Sequence, residues 1–571
     1  MTSLVSRIQR KIFRKIQSLS RSYPDWPRLL KKDWSRWQAA VKAAQGGPRI
    51  LIATGVGGHV PGAILDSLLA VALTVRGAEV HILLCDQFLP ACEHLTIHST
   101  SDLNSFARHG VSRKICQGCF VEADKMYRSL GIPVHYYSEF ITPEEIRNAE
   151  TVSASMPFDK IRDYCLDGLR VGEHAVAGAL RFFARGTLDG EPMAEPVVRH
   201  YLRAALLTMY SARRCQRQYR FTRASFHHGI YIPQGVVGEV ARQEGLPVVN
   251  WNVAYRKKCF IFSHHDTYHH TMLSEPTSNW ENITWTGQLE TDIMDYLNSR
   301  RQGTRDWIWF HNRPQESLDY IAREVGIDFS RPCIGMLTNV MWDAQLHYPA
   351  NAFANMREWA VQTIRYFAKR PELQLVIRIH PAELRGTVRS RQFMVEEIRH
   401  EFPNLPENVF IIPPESEIST YALTLQCNAV IIYGTKTGVE LTSMGIPVIV
   451  GGEAWIRNKE LTMDAHSVEE YFAFLDQLPL PQRLDTATVE RARKYAYHFF
   501  FRRMIPIACI EPVSGWPPYR VQLSDIDNLW PGRDKGLDTI CNGILHGTVL
   551  HDGGDGWGGR RFAISFSRIS S

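Results

Sequence analysis

From residue 331 onward, short apolar runs alternate with helical stretches, and this alternation is what most narrows the folds open to the chain. The runs are Cys333–Thr338, Leu373–Ile379, Val409–Ile412, Ala429–Tyr433 and Pro447–Val450. Helical patterns fall between them at Phe353–Lys369, near Ile418–Thr424, and at Thr437–Met444. A strand with no polar alternation is buried on both faces, which requires helices on both sides of its sheet. Parallel neighbours in turn need a crossover between them, which a helix supplies. Residues 331–480 therefore read as a doubly wound α/β domain.

The same grammar opens earlier. Arg49–Thr54 reads as a strand, Gly55–His59 as a glycine-rich turn, Pro61–Val75 as a helix and Glu79–Leu84 as the next strand. Residues 151–220 read as a charged, helical insertion. Alternation resumes near Ser225, with a helix at Gln234–Glu244 and a strand at Pro247–Trp251. Residues 49–310 are thus expected to form a first α/β domain. The polar stretch Ser278–Thr304 is a candidate linker, Thr488–Arg503 a long helix, and the Gly-rich tail from His551 loose; residues 481–571 are read as C-terminal helix and tail. A chain of 571 residues exceeds one ordinary core, which agrees with two domains.

Charge is concentrated at the N-terminus. The chain carries a net charge of +6, and residues 1–49 hold twelve Lys or Arg against two acids, Asp25 and Asp33. Leu4–Leu19 has an amphipathic helical pattern, with Val5, Ile8, Ile12, Ile16 and Leu19 on one face and basic residues around them. Trp26, Trp34 and Trp37 follow. Residues 1–48 are read as a basic helical arm, suited either to an anionic membrane surface through residues 1–45 or to docking on the protein itself. The balance elsewhere gives no reason to expect nucleic acid. No apolar run is long enough to span a bilayer and no signal peptide is visible. The expected address is the cytoplasm, with attachment to the inner face of the plasma membrane if the arm binds lipid.

One segment carries the chemistry of an anion site. Tyr433-Gly-Thr-Lys-Thr-Gly-Val-Glu-Leu441 follows an apolar strand and opens a helix. Backbone N–H groups there, with Thr435, Thr437 and Gly438, suit phosphate oxygens, and Lys436 adds positive charge. Glu440, one turn on, is placed to accept from ribose hydroxyls. Arg378-Ile-His-Pro381 ends another strand of the same domain, where ligands of open α/β sheets bind. Taken alone, each also reads as an ordinary capped helix start or a strand-ending proline.

Together these residues resemble the donor half of GT-B glycosyltransferases, and in particular the capsule polysaccharide biosynthesis family, which includes Kdo transferases. The carriers are Glu440 with Met444-Gly-Ile-Pro447 in the spacing E-x4-G-x-P, and the pair His380-Pro381. The resemblance covers residues 331–475 best and 49–270 more loosely. It implies two Rossmann-like domains facing a cleft, with donor-phosphate contacts from His380 and ribose contacts from Glu440. It also implies a nucleotide-sugar donor, CMP- or UDP-linked, and a polysaccharide or glycolipid acceptor. No cofactor is required, since Arg378, His380 and Lys436 supply the positive charge.

In the first domain, Gly57 and Gly58 resemble the glycine-rich acceptor loop of such enzymes, and His59 is a candidate general base. His227-His-Gly-Ile-Tyr231 and Ser263-His-His-Asp-Thr-Tyr-His-His270 are His-rich and could line the cleft or bind metal. Cys85, Cys92, Cys116 and Cys119 either hold zinc or an iron–sulfur cluster or are buried free thiols. The function expected is transfer of a sugar to a surface polysaccharide or glycolipid. The alternatives are a sugar-nucleotide epimerase of the same architecture and a non-catalytic scaffold of a polysaccharide assembly.

Overall fold

The structure is a computed structural model, and it describes residues 23–307, 309–310, 314–344, 346 and 348–551. The apolar runs form two separate sheets. The first contains β1 (Arg49–Gly55), β2 (Glu79–Leu84), β3 (Val134–Tyr136), β4 (Arg223–His227), β5 (Val248–Val253) and β6 (Cys259–His264). The second contains β7 (Cys333–Leu337), β8 (Gln374–Arg378), β9 (Val409–Ile412), β10 (Ala429–Ile432), β11 (Val448–Val450) and β12 (Met463–Asp464). A later strand, β13 (Met504–Pro506), returns to the edge of the first sheet, and Ile510–Pro512 and Tyr519–Val521 pair as a small two-stranded sheet after it.

Strand order decides where ligands can sit. The first sheet runs β13-β6-β5-β4-β1-β2-β3, with β1 to β5 parallel and β6 antiparallel to β5. The second runs β12-β11-β10-β7-β8-β9, all parallel. Both wind outward in two directions, so each has a point where the order reverses, between β1 and β4 and between β7 and β10. A crevice opens there at the carboxyl ends of the strands. Register keeps those ends level: Leu337 pairs with Ile432 on one side and Arg378 on the other. These are the two Rossmann-like domains that the alternation implies.

Three segments differ from the sequence reading. Residues 151–220 are not an insertion on the fold. The helices Pro143–Ser155, Val171–Phe183 and Ala194–Tyr219 form the crossover from edge strand β3 back to central β4, burying Val197, Tyr201 and Leu206 against the sheet. Their charge is that of the outer helix faces. The polar stretch 278–304 contains an ordered helix, Gly287–Arg300, capped by Thr286 and burying Ile293, Tyr296 and Leu297. Helix Thr486–Tyr497 packs against helix Thr437–Ser443, where the Ser443 hydroxyl donates to the Ala492 carbonyl at 3.3 Å. The chain then crosses back: β13 and helix Lys535–His546 belong to the first domain, with Leu537 and Ile540 in its core. The tail beyond His551 lies outside the described residues.

For the arm, the docked alternative holds as far as the described residues reach. Trp26 and Trp37 are fully buried in the first-domain core, and the Trp37 indole donates to the Leu130 carbonyl at 3.0 Å. Residues 23–48 are thus docked on the protein, while Leu4–Leu19 lies outside the described residues. The apolar helix Val60–Thr74 is buried along its whole length. Its Asp66 accepts from the Trp251 indole at 2.9 Å. Among the described residues no helix is long and apolar enough to cross a membrane.

Candidate functional site

A cavity of about 390 Å³ opens where the loops after β7, β8, β10 and β11 face the first domain. Second-domain residues Thr338, Asn339, Arg378, His380, Tyr433–Thr437 and Glu453 line one wall. Tyr255, Tyr268 and His269 come from the first domain, and Arg300 from the connecting helix. The domains also touch directly, as Tyr231 donates to Asp343 at 3.2 Å and accepts from the Ala344 N–H at 2.8 Å.

Five of the seven residues expected on the donor side reach this cavity: Arg378, His380, Thr435, Lys436 and Thr437. The loop at Gly434 is pinned across the reversal point by Asn339, which donates to the Gly434 carbonyl at 2.8 Å. Thr435 and Thr437 place their hydroxyls 3.1 Å apart at the start of a seven-residue helix. His380 accepts the Ala382 N–H on Nδ1 at 3.0 Å, which sets its ring proton on Nε2 and makes that nitrogen a donor.

Arg378 is a cation with no carboxylate in direct contact, although Glu417 and Glu415 lie near enough to favour its charge. Its guanidinium is buried and donates to the carbonyls of Pro413 (2.6 Å) and Ser416 (2.9 Å), while Nε has no hydrogen-bond partner. It makes no ion pair with any described residue. Burial pulls its pKa down to about 10, so it stays charged at neutral pH.

Gly438 and Glu440 lie behind the cavity wall. The expectation that Glu440 meets a ribose fails on geometry, because the carboxylate is fully buried and its oxygens are taken. Oε1 faces Lys436 Nζ at 2.5 Å and Arg300 Nε at 3.2 Å, and Oε2 accepts from Tyr421. Burial alone would raise this carboxyl, but the Arg300 and Lys436 charges overcome it and hold it below the usual range. Glu440 holds Lys436 in place, with the Lys436 ammonium 4.9 Å from the Tyr255 ring centre. Burial, with Arg300 close by, lowers the Lys436 amine from its ordinary value. Arg300 also pairs with Asp306. Sequence reasoning missed Arg300, Asn339 and Tyr421, because no local pattern links them to residues 433–441.

In the first domain the glycine loop is packed rather than open. A Cβ on Gly57 would lie 2.4 Å from the Ala123 Cβ, and one on Gly58 2.6 Å from His94 Nε2. These glycines admit the protein's own helix and imidazole. His59 follows them at the head of helix Val60–Thr74, its ring centre 4.6 Å from that of His227. Burial holds both imidazoles neutral at pH 7, with His227 lowered to about 3. The second His-rich stretch reaches the cavity through His269, which accepts from the Trp455 indole at 2.9 Å and lies 3.3 Å from Glu453.

Cys85, Cys92, Cys116 and Cys119 do converge, with His94, around a separate cavity of about 20 Å³. Cys119 Sγ accepts the Gly58 N–H at 2.9 Å. Burial raises the Cys85, Cys92 and Cys116 thiols, Cys116 to about 12, so these three are protonated as they stand. The group of metal-ligating side chains that brings its ligand atoms within 4.8 Å of one another, among the described residues, is instead His59, Glu93 and His227.

Two doubly wound sheets with their reversal points turned to a shared cleft are the GT-B architecture. No protein-family model matches the chain, and no curated protein matches it. Solved structures do. A β-Kdo 2,4 transferase, KpsC of Thermosulfurimonas dismutans, is 14% identical with a TM-score of 0.32, covering 49% of this chain and 80% of that one. The S. aureus MnaA–UDP co-structure is 11% identical with a TM-score of 0.25, covering 78% and 91%. MurG of Acinetobacter baumannii is 13% identical with a TM-score of 0.24, covering 79% and 95%. At such values the assignment of architecture rests on strand order and not on likeness.

Proposed function

We propose that the chain is a nucleotide-sugar-dependent glycosyltransferase, with the donor in the 390 Å³ cavity and the acceptor entering from the first domain. The observation that carries this reading is the buried Arg378, with no carboxylate in direct contact among the described residues, beside the His380 donor and the Gly434–Thr437 loop, at the reversal point of a parallel sheet. An anion relieves the cost of that charge, and a nucleotide phosphate has the size and donor demand to fit. In the transfer, an acceptor hydroxyl oxygen bonds to the anomeric carbon as the bond from that carbon to phosphate breaks. The nucleotide leaves with the electron pair, and preorganised donors stabilise its growing charge. The acceptor proton is proposed to pass to His59, which lies outside the residues lining the cavity, when its imidazole is free.

A CMP- or UDP-linked donor and a capsule-type polysaccharide or glycolipid acceptor complete the proposal. The basic residues before Tyr23 are assigned to an anionic membrane surface on the cytoplasmic side. The test is thermal unfolding with CMP, UDP and the matching nucleosides. One nucleotide near a hundred times its dissociation constant should add about 2.7 kcal/mol of stability. The nucleoside should add far less, and Arg378→Ala and His380→Ala should lose the effect. No stabilisation by any nucleotide would overturn the reading. Incubating a bound nucleotide-sugar alone should leave it intact; an epimer in that tube would replace transfer with epimerisation.

A further inference from the structure

We propose that His59, Glu93 and His227 form a binding site for a divalent transition metal, zinc by ligand chemistry. The inference stands whether or not the larger cavity takes a nucleotide-sugar. Topology creates the site. His59 follows β1 and His227 ends β4, the two strands at the reversal point of the first sheet. Glu93 is brought in by the loop after β2, whose backbone N–H donates to the Ile232 carbonyl at 2.8 Å. The three ligand atoms lie within 4.8 Å of one another. Tetrahedral zinc with bonds of 2.0–2.1 Å separates its ligands by about 3.4 Å. Closing on an ion thus needs a contraction of at most about 1.4 Å, within reach of small side-chain rotations.

The groups around the triad orient it as outer partners orient metal ligands. His227 Nε2 faces the Asn252 amide oxygen at 3.2 Å, so its proton sits there and Nδ1 presents a lone pair. That Nδ1 is buried and has no hydrogen-bond partner. Glu93, only 7% exposed, accepts from the Gln234 amide at 2.8 Å on Oε1, and the same amide is anchored on the Thr54 carbonyl. The Arg181 guanidinium donates to the backbone carbonyls of Glu93 and Leu95, not to the carboxylate. Two imidazoles and one carboxylate select zinc or its first-row neighbours over calcium or magnesium. Three protein ligands leave a fourth position, and His59, the partly exposed member, marks the side on which it opens. In the loaded state His59 is a ligand and not a base, and an oxygen at the fourth position would be acidified by the ion.

The test uses the full chain, stripped with a chelator, dialysed, and titrated with zinc by calorimetry and with cobalt(II) by visible absorption. One ion per chain is expected, with an absorption signature of four-coordinate cobalt. Glu93→Gln, which preserves shape, and His227→Ala should each weaken binding by at least tenfold. Asn252→Ala should keep the stoichiometry and weaken affinity by about 10–100-fold. Absence of binding to the wild-type chain overturns the proposal. So does binding that survives Glu93→Gln and His227→Ala but disappears in Cys92→Ser/Cys119→Ser, which would place the ion among the thiols. If His227→Ala fails to fold, Glu93→Gln and the cobalt spectrum still decide.

Discussion

Glu440→Gln is the sharpest probe of the donor wall. The substitution preserves volume and can keep the contact with Tyr421, but it deletes the negative charge between Lys436 and Arg300. Arg300 retains Asp306, whereas Lys436 loses its carboxylate. Removing one partner of a buried ion pair costs about 3–5 kcal/mol, because the other charge is left uncompensated. For a domain of this size each kcal/mol lowers the midpoint by about 2–4 °C, so a fall of about 6–20 °C is expected in the second-domain transition. The loss should shrink as pH rises. An unpaired, buried Lys436 has a folded pKa below its unfolded value, so the unfolded chain binds more protons and stability increases with pH until the amine is neutral. Urea denaturation at pH 7 and pH 9 measures both effects. Lys436→Met combined with Glu440→Gln should recover most of the loss, as the pair is removed together. A single-variant cost below about 1 kcal/mol, or a double variant no better than the single, would show that the carboxylate does not hold these cations.

Four further outcomes are expected. Asn339→Ala should leave the Gly434 carbonyl without its donor, costing about 1–3 kcal/mol and weakening the nucleotide-induced thermal shift. Asp66 is raised to about 7 by burial, so the folded state holds its proton between the unfolded value of 3.8 and that pH. Its contribution is therefore full below the unfolded value and is lost as pH rises toward 7. Asp66→Asn should be more stable than wild type at pH 8 and flatten the profile, read by calorimetric scans from pH 5 to 8. Removing residues 1–22 should abolish sedimentation with anionic vesicles. Trp37→Ala should instead destabilise the first domain by about 3–5 kcal/mol in urea.

The parts legible in the sequence were those encoded locally. Ala429–Ile432 and Gln374–Arg378 are covered on both faces, so they read as unbroken apolar runs, and the segments just after them could be picked out as sites. Glu440 was misread because a carboxylate one turn into a helix has the same local pattern whether it faces a ligand or the interior. Only Arg300 and Tyr421, contributed from elsewhere in the chain, decide which. His59, Glu93 and His227 share no spacing motif, since the strand order alone makes them neighbours. Met504–Pro506 is too short to announce itself as a strand, and its partner β6 is distant in sequence. Trp37 matches a lipid-facing pattern and a docked one equally well until Leu130 supplies the acceptor.

Because the polypeptide passes from the first domain to the second near residues 275–330 and returns through His498–Arg503, the halves are joined by two strands of chain rather than one. Two tethers would restrict any relative turning of the halves to the line that joins them, as a pair of pins restricts a door. A protease nick in the first passage should therefore yield two fragments that still travel together on a sizing column. The second passage remains anchored at both ends, by helix Thr486–Tyr497 on one body and β13 on the other.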